Sequence, residues 1–143
     1  MTSTLALRSK IDRLEDAMNS REDVVGAEAF ELKHHFTDNG MYAREIILPA
    51  GSLVVGKIKK EEHISVISAG FVTEVTEEGT QHIKAPYTMV SRAGTKRVVL
   101  AHETTVWTTI HFSKETDIDK MVDDIAVDSR EQYENLLEEL QCP

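Results

Sequence analysis

The feature that most limits the fold is a series of short, β-branched segments between residues 42 and 112. They include "YAREIIL", "HISVISAG", "YTMVS" and "TTVWTTIHF", and turn signals such as Pro49-Ala50-Gly51 and Glu77-Glu78-Gly79 separate them. Short strands at this spacing indicate an antiparallel barrel or sandwich, and no helical pattern interrupts them. Closing the sheet removes exposed edges and leaves a mouth lined by side chains. The sequence therefore predicts a mainly β protein with a small antiparallel barrel.

Helical patterns flank this series on both sides. Residues 5–18 read "LALRSKIDRLEDAM", with apolar residues three and four apart, and Ser3 or Thr4 can cap that helix. After Phe112, "KETDIDKMVDDIAV" and "SREQYENLLEEL" have the same spacing, and Asp128 or Ser129 can cap the second of them. We predict that the N-terminal helix packs on the outside of the barrel, with a subunit contact as the alternative.

Length and charge limit the function. The 143 residues fit one domain, which we divide into an N-terminal helix and entry segment (1–39), a barrel (40–112) and a helical tail (113–143). A net charge of −9 speaks against general attraction to nucleic acid or to an anionic membrane. The one cysteine, Cys142, cannot form an internal disulfide, and no apolar run reaches membrane-spanning length. We predict a cytoplasmic protein, in the host cytoplasm if it is viral.

Two spaced motifs lie within the barrel region. The first begins at "GSLVVGKIKKEEHISVISAG" and places Gly51, Lys57, Lys59, His63 and Gly70 at fixed intervals. The second, "PYTMVSRAGTKR", places Pro86, Arg92-Ala93-Gly94, Arg97 and Ala101. This spacing resembles the two motifs of the cupin superfamily across roughly residues 40–112. The resemblance implies a cupin-type jelly roll.

The metal ligands of that family are replaced here. A cupin metal site normally uses two His, one Glu and a further His, and the corresponding positions are Lys57, Lys59, His63 and Arg97. A protonated Lys has no lone pair, and Arg is not deprotonated in proteins. His63 alone could still bind a divalent ion, so we predict no cofactor with the usual ligands. A metal held by His63, His102 and a carboxylate is the alternative.

The resemblance also implies that Lys57, Lys59, His63 and Arg97 converge on one cavity. Like charges in such a space repel strongly and need neutralisation. An anionic ligand could supply the negative charge, or one of five carboxylates could: Glu45, Glu61, Glu62, Glu74 and Glu103. The alternative is that Lys57 and Lys59 lie at a strand end and reach the solvent.

The stretches "GKIKKEEHISVISAG" and "TEEGTQHIKAPYTMVSRAGTKR" also resemble small cupin-like proteins encoded by tailed bacteriophages, in which we expect a His where Lys59 stands. Three functions remain, since a fold does not settle function. The first is a binder of a small, anionic molecule, as a phage accessory protein. The second is a cupin enzyme, metal-dependent or using His63 as acid/base, that acts on a small carbohydrate or acid. The third is an interaction protein that uses the barrel as a scaffold. A homodimer is what the resemblance implies.

Overall fold

The computed structural model describes residues 4–20 and 30–141 of the chain. The helices are α1 (Thr4–Asn19), α2 (Ile118–Ile125) and α3 (Arg130–Gln141). The strands are β1 (Glu31–Phe36), β2 (Met41–Leu48), β3 (Leu53–Val55), β4 (Ile58–Lys59), β5 (His63–Ala69), β6 (Phe71–Thr76), β7 (Gly79–Lys84), β8 (Tyr87–Ser91), β9 (Val98–Ala101), β10 (Thr105–Phe112) and β11 (Ala126–Val127). Ser3 and Cys142 lie outside the described residues. No described helix is both long and apolar enough to cross a membrane.

Two antiparallel sheets form the barrel. One has the order β1-β2-β10-β5-β8 and the other the order β3-β9-β6-β7. Alternating side chains point inward from each strand, and those of the two sheets form one core. Its buried members are Leu48, Ile67, Val72, Ile83, Val99, Ala101 and Trp107. This arrangement confirms the predicted antiparallel jelly roll with flanking helices.

The segment "LVVGKI", residues 53–58, is not one continuous strand. β3 ends at Val55, and the amide of Gly56 donates a hydrogen bond to the carbonyl of Arg97 at 2.9 Å. β4 then leaves the sheet and pairs with β11, a two-residue strand inside the tail predicted to be helical. Two residues are too short for a periodic pattern, so alternation does not reveal β11. The break changes the direction of the side chains that follow Gly56.

α1 and α2 bury apolar residues against the barrel, whereas α3 has no buried residue and its Leu140 is 75% exposed. Ile11 of α1 is buried, and the ammonium of Lys96 lies 3.1 Å from a carboxylate oxygen of Asp12. Ser129 caps α3, because its hydroxyl accepts a hydrogen bond from the amide of Gln132 at 3.1 Å. The ring of Tyr133 in α3 covers Gly94. The tail is thereby fixed beside the loop that precedes Arg97.

Candidate functional site

Arg97 connects the two sheets inside the barrel. It lies just before β9, and its Nε is 2.6 Å from Oε2 of Glu74 on β6. Its guanidinium lies over the ring of Trp107 on β10, 5.2 Å from the centroid, and Nη2 donates to the hydroxyl of Ser91 at 3.2 Å. Burial raises the pKa of Glu74, although Arg97 opposes that shift. Arg97 and Glu74 thus form a buried ion pair in which the two charges offset each other.

His63 and His111 form a stacked pair on neighbouring strands, β5 and β10. Their ring centroids are 4.5 Å apart, and each side chain is almost fully buried. Burial lowers the pKa of His63 to about 4 and that of His111 to about 3. The charge of Lys59 contributes to both of these shifts. Both imidazoles are therefore neutral at pH 7.

The hydrogen bonds of His63 fix which nitrogen carries the proton. Its Nδ1 lies 3.1 Å from the carbonyl oxygen of Glu61. A carbonyl only accepts, so Nδ1 donates, and Nε2 of the neutral ring carries a lone pair. Nε2 is buried and has no hydrogen-bond partner. Such a group is costly to leave unpaired, and the charges of Lys59 and Arg97 act on this ring.

Lys59 supplies a cation that no carboxylate neutralises within residues 4–20 and 30–141. Its side chain is half-buried, and its Nζ donates to the carbonyl of Lys57 at 3.4 Å. Its pKa is lowered to about 8, mainly by burial and also by the charges of Arg44, Arg97 and Lys57. The Lys59 amine therefore shares the interior with Arg97 and the two imidazoles.

Arg44 is a further interior cation that the sequence analysis did not single out. It lies on β2, two residues from the buried Tyr42 and opposite Thr109 of β10. Its Nε is buried without a hydrogen-bond partner. Alternation along "YAREIIL" places it on the same strand face as Tyr42, Ile46 and Leu48, and this pattern was the available signal.

Lys57 and His102 lie elsewhere. The Nζ of Lys57 is 2.7 Å from Oδ1 of Asp128, and both side chains are exposed, because the break at Gly56 turns Lys57 outward. His102 is exposed, and its Nε2 is 2.6 Å from the hydroxyl of Thr73. The structure therefore brings Lys59, His63 and Arg97 together and adds Arg44, but it does not bring Lys57 or His102 to this group.

An open cavity of about 110 Å³ leads to the His111 ring. The loop after β4 and the end of α2 form its walls, with Glu61, Glu62 and Asp124 among the lining residues. A cavity of this size holds a few heavy atoms and is smaller than the sites of drug-sized ligands.

These residues do not fit the divalent metal that cupin enzymes hold. His63 and His111 are two nitrogen donors, and no third His, Cys, Asp or Glu joins them within the described ranges. Glu74 is already paired with Arg97, and Lys59 and Arg97 direct positive charge at the same space. A catalytic zinc site normally has three protein ligands. We therefore derive no step through a metal.

Comparison with known proteins gives matches in structure only. No protein-family model matches the sequence, and no curated protein matches it. KdgF from Halomonas sp. superposes with a TM-score of 0.54 at 14% identity, covering 70% of this chain and 90% of that one. A putative ethanolamine utilization protein Q from Salmonella typhimurium gives 0.52 at 16% identity, covering 63% and 76%. A cupin superfamily protein from Desulfitobacterium hafniense gives 0.51 at 8% identity, covering 66% and 83%.

Identities this low carry a fold and no activity. The spaced glycines Gly51 and Gly70 of the first motif have positive φ. Together, the sheet order and these structural neighbours show that the chain has the cupin fold.

Proposed function

We propose that the protein binds a small anionic molecule in the mouth of the barrel, in contact with Lys59, Arg44 and Arg97. One observation supports this most directly: three cationic side chains share the interior with one buried carboxylate, Glu74, which is paired with Arg97. Uncompensated buried charge is costly, and an anion would offset that cost. A carboxylate or phosphate would also accept two parallel N–H groups from a guanidinium.

The second candidate is acid/base catalysis through His63 on a small carbohydrate or acid. The unpartnered, buried lone pair on its Nε2 favours this function. The pKa of about 4 makes the ring a weak base at neutral pH, whereas efficient catalysis needs a pKa near the working pH. Binding is therefore the better-supported function.

The setting of the protein is also a proposal. We propose a phage accessory protein in the host cytoplasm that acts as a homodimer. The outer face of the five-stranded sheet carries a row of apolar residues, in which Ile110 pairs with Ile64 and Ile64 with Val90. Val90 is 58% exposed and Phe112, at the end of β10, is 76% exposed. A second copy of the chain would cover this face. If the third function, an interaction scaffold, holds instead, another partner covers it.

Lys57 and Lys59 provide a matched test of the anion site. Lys59→Met is expected to raise the Kd for inorganic phosphate or succinate by about tenfold or more, because a charged contact is lost. Lys57→Met is expected to leave the Kd within about twofold, since this side chain is exposed and pairs with Asp128. Isothermal titration calorimetry on the purified chain measures both.

Two results would contradict the proposal. Equal loss in both variants would mean that no interior site exists, and so would the absence of anion binding by the wild-type chain. Native mass spectrometry with metal analysis of the same sample is a separate measurement. A stoichiometric divalent metal that is lost on His63→Ala would favour the enzyme instead.

A further inference from the structure

Two histidines on the outer face of the four-stranded sheet direct a ring nitrogen at the same atom. The Nδ1 of His82 lies 2.9 Å from Oγ1 of Thr73, and the Nε2 of His102 lies 2.6 Å from that oxygen. The two nitrogens are therefore no farther apart than these two distances combined. The other four histidines contact separate partners, namely Tyr42, Glu45, the carbonyl of Glu61 and Thr109.

The strand register brings the two rings together. His82 of β7 and Leu100 of β9 stand opposite Thr73 of β6, one on each side. The amide of His102 donates to the carbonyl of Phe71 at 2.9 Å, which continues the pairing of β9 with β6 beyond Leu100. Because side chains two residues apart share a face, His102 lies on the face of Leu100 and Thr73. The ring of Phe71 packs against that of His102, with centroids 4.9 Å apart.

A hydroxyl cannot donate to both ring nitrogens. It has one proton, so at most one of the two nitrogens accepts a hydrogen bond from Thr73, and the other must donate its own N–H. A metal ion can instead accept the lone pair of both nitrogens at once, since either nitrogen of a neutral imidazole can carry the lone pair. Both side chains are exposed, so an ion in solution can reach them.

The donor atoms determine the kind of ion. Imidazole suits Cu²⁺, Ni²⁺ and Zn²⁺, whereas Mg²⁺ and Ca²⁺ take oxygen ligands. A tetrahedral Zn²⁺ with Zn–N bonds of about 2.0–2.1 Å holds two nitrogens about 3.3 Å apart, which small rotations of two exposed side chains can reach. No group of three or more His, Cys, Asp or Glu in the described part of the chain is placed to hold a metal. Water would therefore complete the coordination.

We propose that His82 and His102 form a surface site for a divalent transition-metal ion, with Cu²⁺ bound more tightly than Ni²⁺ or Zn²⁺. This order follows the general affinity of nitrogen sites for these ions. The net charge of −9 favours the approach of a cation. The site lies on the outside of the barrel and is independent of the proposed anion site.

Titration of the metal-free full chain with Cu²⁺ tests the proposal. Calorimetry is carried out in the Cys142→Ser background, because a thiol also binds these ions. We expect one Cu²⁺ per chain, and an electron paramagnetic resonance spectrum that shows two imidazole nitrogens on the metal. His82→Gln and His102→Gln should each raise the Kd by about tenfold or more, because one ion then no longer joins two ligands.

His35→Gln is the matched control. His35 is also an exposed histidine on a strand, and its Nε2 lies 3.2 Å from Oε1 of Glu45. Its replacement should leave the Kd within about twofold. An equal loss of affinity in all three variants would overturn the proposal, and so would a spectrum with a single imidazole nitrogen. A metal that is kept in the His82 and His102 variants but lost on His63→Ala would place the ion inside the barrel and overturn the surface site.

Discussion

Replacing Gly70 with Ala is expected to lower the free energy of unfolding by about 4 kcal/mol, summing backbone strain and overpacking. Gly70 has φ +105°, a conformation that side-chain-bearing residues rarely adopt. A Cβ there would lie 2.6 Å from Cα of Thr105 and 2.7 Å from the carbonyl oxygen of Thr104. Both are backbone atoms, so the start of β10 would have to move. Urea denaturation followed by circular dichroism measures the change.

Gly51→Ala is the matched control for this variant. Gly51 also has positive φ, at +88°, but a Cβ there would meet no atom within 4 Å. The Gly51→Ala variant should lower the free energy of unfolding only by the backbone strain, about 1–2 kcal/mol. Equal destabilisation by the two variants would show that the close approach of Gly70 to the start of β10 does not limit which residue can stand there. The difference between them isolates the contact from the strain.

The same glycine shows why so much of the fold was predictable. Tight turns between short strands require glycine at fixed positions, and inward-facing residues must alternate with outward-facing ones. Both requirements are local, so they are visible in the sequence. They appear as Gly51, Gly70 and the alternation along residues 63–69. The order of the two sheets then follows from a small set of antiparallel topologies. The predicted jelly roll with flanking helices is confirmed on these grounds.

The candidate site was less predictable because it depends on where the backbone bends. Lys57 and Lys59 are two residues apart, and regular strand geometry would place them on one face. The chain breaks after Val55 and pairs β4 with a segment some 70 residues later in the sequence, so only Lys59 shares the interior. That pairing leaves no periodic signal. Arg44 did follow a periodic pattern. Charged residues are rarely buried without a partner, so the pattern alone did not identify Arg44 as an interior residue.

Charge gives a common explanation for the observations in the interior. At the motif positions where a metal would supply positive charge, the chain itself carries Lys59 and Arg97, and Arg44 lies with them. Burial is the main reason that His63 and His111 stay neutral, and the same positive charges add to it because they repel a further proton. An anion would offset these charges without changing the fold. A bound anion would therefore meet the same cations that add to the effect of burial on the two imidazoles.

The lowered pKa values of the two imidazoles also predict sensitivity to acid. Lowering the pH from 7 to 4 is expected to reduce the free energy of unfolding by about 6 kcal/mol through His63 and His111. The unfolded chain takes up these protons near pH 6.5, whereas the folded chain does so only near pH 4 for His63 and near pH 3 for His111. Between these values the unfolded state binds more protons. Stability is therefore fully present above about pH 6.5 and is lost as the pH falls through this window.

Glu74 changes this pH dependence in the opposite direction, and Lys59 changes it little. The pKa of Glu74 is raised by burial, so the folded chain takes up that proton sooner and gains stability as the pH falls. Lys59, with a pKa of about 8, is already protonated throughout the window. Urea denaturation at pH 7 and at pH 4 measures the net effect. The two histidines should dominate it, because their pKa values are shifted furthest across that range.

The double variant His63→Gln/His111→Gln identifies the residues responsible. It is expected to be less stable than the wild-type chain at pH 7, because the stacked rings are lost, but to lose much less stability on going to pH 4. His82→Gln is the control, since His82 lies on the exposed face of β7, where it contacts Thr73. It should keep the wild-type pH dependence. An equal acid-induced loss in the double variant and the wild-type chain would mean that the buried rings accept protons freely, and the cationic interior would then need another explanation.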